Sequence, residues 1–427
     1  MIIDIKKYCE CFDTYSYNNE LFAKGTFHLI LGRLLVKHKR FLDFGARNID
    51  PRTSLTYLKP TASGGSSAYD FVKIICDSLG INIRMVDEMT DAGLIGTDEV
   101  ITDPETGEEI HTPKGGLFGN PDVDIIYIDE GSVLFMKNPP QHSSKARTYI
   151  QKVLNPMGSS TSKLIKEMAH VTITRDPTQS MYVVSFYPEQ IDSTVIRTGF
   201  MQRSLTICKR MNLEDRKVNM FRDIDAQGTI IDKSAINTLM KSFKDVEEFI
   251  KITPKYTFAA GTAELQKSYV EDALEKLKNT SAFLQEEGAS FVQLYVGRHF
   301  PVISWHHAIS RGSSIIDQED VKYAYMEVLR PAFLDVVSWI EEKSEVTRAA
   351  QIEKTQHNII KDLYTNLLME NKCVVRSVYV AQSDLIQSFE TTAGKSKKTA
   401  QREIQKLFEQ GKLEKLTEGR AVYIKVL

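Results

Sequence analysis

The chain has 427 residues, 42% apolar and 26% charged, with a net charge of −2. That length and composition fit two or three soluble globular domains. The near balance of charge excludes attraction to nucleic acid through overall charge, so any basic patch must be local. The five cysteines are odd in number and scattered, which argues against a disulfide framework. Cys9 and Cys11 are close but have no second pair to complete a zinc site. No apolar run approaches the roughly 20 residues that span a bilayer. The N-terminus, MIIDIKKYCECFD, has no hydrophobic signal core. The expectation is a cytoplasmic protein, bacterial or from a phage-infected host, with no membrane contact.

In chain order, residues 18–40 read as a helix with a capping Asn and a basic end. Residues 52–58 have strand character, and KPTASGGSSAYDF follows as a small-residue loop. Residues 68–79 then carry Phe71, Val72, Ile75 and Leu79 at helical spacing. Strand, small-residue loop and helix is the layout of a phosphate-binding unit. Residues 100–119 predict a hairpin or extended loop, with turns at PETG and KGG. Ile125 to Ile128 form a short apolar strand that ends in two acids. Residues 181–186 and 203–210 are further strands, and strands alternating with helices predict a parallel α/β sheet. Residues 233–343 read as mostly helical, and 344–358 as a polar linker. Residues 359–427 read as three helices and a two-strand wing with a turn at Gly419 and Arg420. The expected domains are an N-terminal helical segment at 1–50, an α/β core at 51–232, a helical lid or bundle at 233–343, the linker, and a winged-helix domain at 359–427.

The loop after the first strand matches a phosphate loop in part. The pattern is G-x-x-x-x-G-K-[ST]: backbone N–H groups cradle phosphate, the Lys reaches the outer phosphates and the hydroxyl binds Mg²⁺. Gly64 and Ser66 match, Lys59 stands at the first Gly and Gly65 at the Lys. The expected nucleotide-binding set is Lys59, Thr61, Ser63, Gly64, Gly65, Ser66 and Ser67. Gly65 supplies no charge, so Lys59, from the opposite lip, is the candidate cation. The second signal is DIIYIDE. It sets Asp129 to hold Mg²⁺ with Ser66, and Glu130 to polarise an attacking water. Ser185, near the carbonyl end of the next strand, could sense the γ-phosphate, or be a satisfied strand-end group. Arg197 and Arg203, in RTGFMQR, are candidates for an arginine supplied to a neighbouring subunit, as is Arg298, with a surface or ion-pair role as the more common alternative for each. Trp305, His306 and His307, in an apolar helical context, read as core and rim.

From about Asn18 to Trp339 an ordered series of motifs resembles the phage- and plasmid-borne P-loop ATPases of DNA replication, DnaB-like or AAA-like helicases. The series is PTASGGSS, MTDAGLIG, KGGLFGNPDVDIIYIDEGSVLF, RTGFMQRSLTI and IIDQEDVKYAY. The resemblance implies a RecA- or AAA-like P-loop core with ATP and Mg²⁺ as cofactors, assembled as a homo-oligomeric ring. The matching positions are Gly64, Ser66, Asp129, Glu130 and Arg203. No primase constellation is visible, so a primase would be a separate chain.

From Gly394 to Leu427 seven Lys and two Arg face four Glu. Ser396, Lys397, Lys398, Thr399, Gln401 and Arg402 lie at or near the start of the expected recognition helix, where Lys and hydroxyl groups suit DNA phosphates. Arg420 stands at the wing tip. Three functions remain open at this level. One is an ATP-driven DNA motor of the ring-helicase kind. The second is a DNA-binding replication factor without turnover, which Gly65 favours. The third is a ligand-sensing transcriptional regulator, for which no dimer helix is visible.

Overall fold

The structure, a computed structural model, describes the chain except residues 1, 17–18, 45–46, 61–62, 64, 87–89, 136–140, 142–144, 188–194, 196–198, 226–232, 279, 344–358, 371–373, 376–377 and 394–395. Two compact units divide it, Met1–Ser344 and Glu345–Leu427.

The first unit is built on a five-stranded parallel sheet. Its strands are β1 (Leu55–Lys59), β2 (Ile83–Val86), β3 (Ile125–Ile128), β4 (Ser180–Phe186) and β5 (Leu205–Cys208). Their spatial order is β5-β1-β4-β3-β2. β1 and β3 are buried along their whole length, as strands covered on both faces must be. The expected parallel α/β architecture is therefore present. Helices α1 (Ile5–Asp13), α2 (Glu20–Lys37) and α3 (Gly65–Ser78) pack near the sheet.

α2 is buried from Phe22 to Leu35 on every side, the state of a helix without a polar face. Asn19 caps it, its side chain accepting from the Phe22 N–H. Phe22 stacks on Tyr57 of β1, ring centroids 3.7 Å apart. The N-terminal helices, the sheet and the helical region after Lys233 thus share one core instead of forming three bodies. The 100–119 segment is an antiparallel hairpin, strands Gly96–Thr102 and Glu109–Gly115. A second hairpin, Leu164–Glu167 with Thr172–Arg175, follows β3. Four cysteines (9, 11, 76 and 208) are free and buried; Cys373 lies outside the described residues.

Helix α4 (Leu213–Asp225) follows β5, and the 30-residue α5 (Ala282–Arg311) buries Trp305, His299, His306 and His307. His306 donates from Nε2 to the Pro51 carbonyl at 3.0 Å and stacks beside His28. Burial holds the His299 and His306 imidazoles down to about 3, with Arg298 adding to the effect at His299. Burial also pushes His28 well down, with His306 and His307 reinforcing it. All three are neutral in the fold and take up protons on unfolding. The stability of keeping them neutral is whole above about pH 6.5 and is lost as pH falls toward 3. Each should steepen the loss by about 1.4 kcal/mol per pH unit. Urea midpoints from about pH 7 to about pH 5.5, before the carboxylates begin to titrate, test this. A flat profile across that window would refute it.

The second unit has its own core of Ile360, Leu363, Val380, Leu385, Phe389, Ile404 and Ile424, among others. Helix 359–369, helix α6 (Gln382–Ala393) and helix α7 (Lys397–Glu409) pack against a four-stranded antiparallel sheet. The last two strands, Leu413–Glu418 and Ala421–Val426, form the hairpin read from the sequence. Two short strands, Val374–Val375 and Tyr379–Ala381, were not legible there.

Candidate functional site

Lys59 ends β1 and Phe186 ends β4, and the two are register partners. The chain leaves β1 toward one edge of the sheet and leaves β4 toward the other. Connections that part in this way open a crevice at the carboxyl ends of the strands. The Lys59 ammonium lies over the Phe186 ring, 5.1 Å from its centroid. Burial lowers the Lys59 pKa, and the Asp129 and Glu130 carboxylates past the end of β3 pull against that shift. The lysine thus lies within electrostatic reach of both acids.

Gly65 begins α3 against the lysine. A Cβ on Gly65 would sit 2.5 Å from Lys59 Cε and 2.8 Å from Nζ. The space in which a side chain at 65 would start is thus filled by the end of Lys59. Ser66 and Ser67 are exposed on the first turn of α3, where backbone N–H groups have no partner within the helix. Those donors and the helix dipole make the turn attractive to an anion. Ser63 lines the same cleft, but its hydroxyl donates to the Pro60 carbonyl at 2.8 Å and closes the loop. Thr61 and Gly64 lie outside the described residues.

Glu130 is exposed and has φ 58° and ψ 47°, a left-handed conformation uncommon for a residue with a side chain. Lys39 is the other such residue among those described. Gly131 follows because a Cβ there would meet Val183 Cγ1 at 2.5 Å. The turn therefore presents Glu130 just past the carboxyl end of β3. Ser185 is buried and donates to the Phe186 carbonyl at 2.9 Å, so its hydroxyl is used locally. Phe186, one residue on, is the β4 residue that touches the cleft lysine.

The second wall of the cleft is α4, which contributes Leu213, Arg216, Asn219, Met220 and Asp223. The space between the walls is about 440 Å³. This helix was not read from the sequence, although Asn212 and Asp215 carry the start signal. The Asn212 side chain accepts from the Asp215 N–H at 2.8 Å, and the Asp215 carboxylate accepts from the Asn212 N–H at 2.9 Å.

The candidate arginines lie elsewhere. Arg203 donates to the Asn155 side chain at 2.8 Å and to the Gly199 carbonyl at 2.6 Å. It stands just before β5, whose first residue pairs with the first residue of β1. That puts it about 20 Å, six strand residues, from the Lys59 end of the sheet. Arg298 donates to the Leu154 carbonyl in the same neighbourhood. Neither arginine belongs to the cleft of its own chain. Arg197 lies outside the described residues.

In the second unit, Ser396 caps α7, its side chain accepting from the Thr399 N–H. Lys397, Lys398, Gln401 and Arg402 are exposed on the first turns, and Thr399 is half-buried. Lys397, Gln401 and Arg420 line one groove of about 640 Å³ with Gln382, Gln387 and Glu390 of α6. Helix start and hairpin tip, read separately in the sequence, thus flank one space.

No protein-family model matches the chain, and no curated protein matches its sequence. Among the described residues, no helix is long and apolar enough to cross a membrane.

Proposed function

We propose that the chain is an ATP-dependent motor acting on DNA, of the ring-forming phage-type replicative helicase kind. Its first unit acts as a RecA- or AAA-like P-loop core and its second as a winged helix. The observation that carries this reading is the Lys59 side chain lying against Gly65, across from Asp129 and Glu130. A lysine from the strand end takes the place that the motif gives to a lysine at the helix start. The loop, which departs from the pattern in sequence, keeps a cation and a helix N-terminus at one crevice, with two acids within electrostatic reach of the lysine.

ATP and Mg²⁺ fit this donor set. Among the described residues no three His, Cys, Asp or Glu side chains gather as a metal site. A magnesium ion in such a cleft needs only one or two carboxylates and takes its other ligands from phosphate and water. Asp129 and Ser66 would hold it, and the bound ion would offset charge on the phosphates. Lys59 and the α3 N–H groups orient the phosphates. Glu130 accepts a proton from the attacking water. Arg203 is too far from its own cleft to serve it, so in a ring it would serve a neighbour's.

The second unit supplies DNA contacts through Lys397, Lys398, Thr399, Gln401 and Arg402, with Arg420 from the hairpin tip. Replacing Lys397, Lys398 and Arg402 together by Ala should weaken duplex binding and flatten its salt dependence. Each lost phosphate contact lowers the slope of log K against log salt by about 0.9. An unchanged slope would remove α7 from the DNA contact. The motor reading is tested by ATP turnover of the purified chain with and without single-stranded DNA. Turnover that DNA stimulates supports it. DNA binding with no turnover overturns it in favour of a replication factor with a silent nucleotide site.

A further inference from the structure

α4 is an amphipathic helix mounted with its polar side inward. Asn219 is buried, and Arg216 and Arg222 are half-buried. Leu213, Val218, Met220, Phe221 and Ile224 are all more than half exposed. A helix that only packed on the core would turn the other way. Arg222 ties it to the end of α1 through an ion pair with Asp13 at 3.1 Å. Arg216 and Asn219, on its inner side, line the cleft together with Lys59. Two of its exposed apolar residues, Leu213 and Met220, also line that cleft, 77% and 55% exposed.

We infer that α4 is the nucleoside-binding wall of the cleft, an assignment that rests on the nucleotide reading of the phosphate loop. Leu213 and Met220 form an apolar ledge for a flat base. Asn219 offers both a donor and an acceptor to the base edge or ribose. Arg216 faces Lys59 across the space, so the two cations bracket a polyphosphate. A ligand pocket of this kind combines apolar lining with a few placed polar groups, and the volume suits one nucleotide. The mounting of the helix follows, because its polar side and its ledge serve a ligand instead of the core. The ligand class is a nucleoside triphosphate, held by two elements far apart in sequence.

The test compares ATP with inorganic tripolyphosphate, both with Mg²⁺, by isothermal titration of the full chain. Wild type should bind ATP the more tightly of the two. Lys59→Met and Arg216→Ala should each weaken both ligands by about tenfold. Met220→Ser, at a position open enough to leave folding intact, should weaken ATP by about fivefold and leave tripolyphosphate unchanged. Asn219→Ala should act like Met220→Ser. Wild type that binds neither ligand overturns the phosphate-loop reading and this inference with it. Binding that Lys59→Met removes and all three α4 variants keep overturns the inference alone.

Discussion

Glu130→Gln should lower ATP turnover by about 10²- to 10⁴-fold, the usual contribution of a positioned general base, while nucleotide binding persists. Gln matches Glu in shape, but its amide does not take a proton from water. The conformation of Glu130 makes it the residue to test. A left-handed backbone at a residue with a side chain costs about 1 kcal/mol or more, and such strain persists where surrounding structure enforces it. Here the enforcement is visible: β3 ends at Ile128, and Gly131 fits against Val183 with no room for a Cβ. Glu130 therefore has little freedom in where it leaves the sheet. Gln inherits that geometry, so the thermal midpoint should stay near wild type. Removing one negative charge beside Lys59 should leave ATP affinity equal or slightly higher. Full turnover in Glu130→Gln would show that the strained acid is not the base. Asp129→Asn should differ in kind, weakening the Mg²⁺ dependence of binding before it affects any proton transfer.

Much of this site was legible before the structure, because its parts are local patterns. The strand Ile125–Ile128 with two acids behind it is a continuous apolar run, and it forms between those residues. The helix after the small-residue loop begins three residues earlier than its apolar spacing suggests, since Gly65, Ser66 and Ser67 add a turn without apolar side chains. What stayed hidden is tertiary. The meeting of Lys59 with Gly65 depends on how the loop folds back on the strand end, which no spacing rule encodes. The destination of Arg203 depends on β5 lying beside β1. α4 is hard to see in the sequence because charged residues outnumber apolar ones from Leu213 to Asp225, so it reads as a polar connection. α2 was read as part of a separate N-terminal segment, yet residues Phe22 to Leu35 lie wholly inside the first unit.

Exchanging the lysine and the glycine gives the sharpest test of the loop. Lys59→Met should cost about 1.5–3 kcal/mol of nucleotide binding, or roughly ten- to a hundredfold in affinity, as a charge-assisted contact is lost. The fold should not suffer with it. Lys59 holds its charge at a desolvation cost, since burial lowers its pKa despite Asp129 and Glu130. A depressed lysine pKa means that the ammonium is less favourable folded than unfolded. Met keeps the aliphatic stem over Phe186 and removes that cost, so the thermal midpoint should hold or rise while affinity falls. Opposite movement of the two separates lost function from misfolding. Gly65→Ala probes the same contact from the other side. Its new Cβ would overlap the end of Lys59, within 2.5 Å of Cε. That end is the flexible part of the side chain, so the lysine yields and the backbone stays. Affinity should drop with Lys59 still present. The double variant Lys59→Met with Gly65→Lys then returns a cation to the position where the motif carries it, in the space Lys59 has left. Recovery of ATP binding there, with Lys59→Met and Gly65→Lys each weak alone, would show that the two positions exchange one role. A Gly65→Ala chain that binds ATP as wild type does would break that link, because Lys59 would then reach the phosphates by a route that does not pass Gly65.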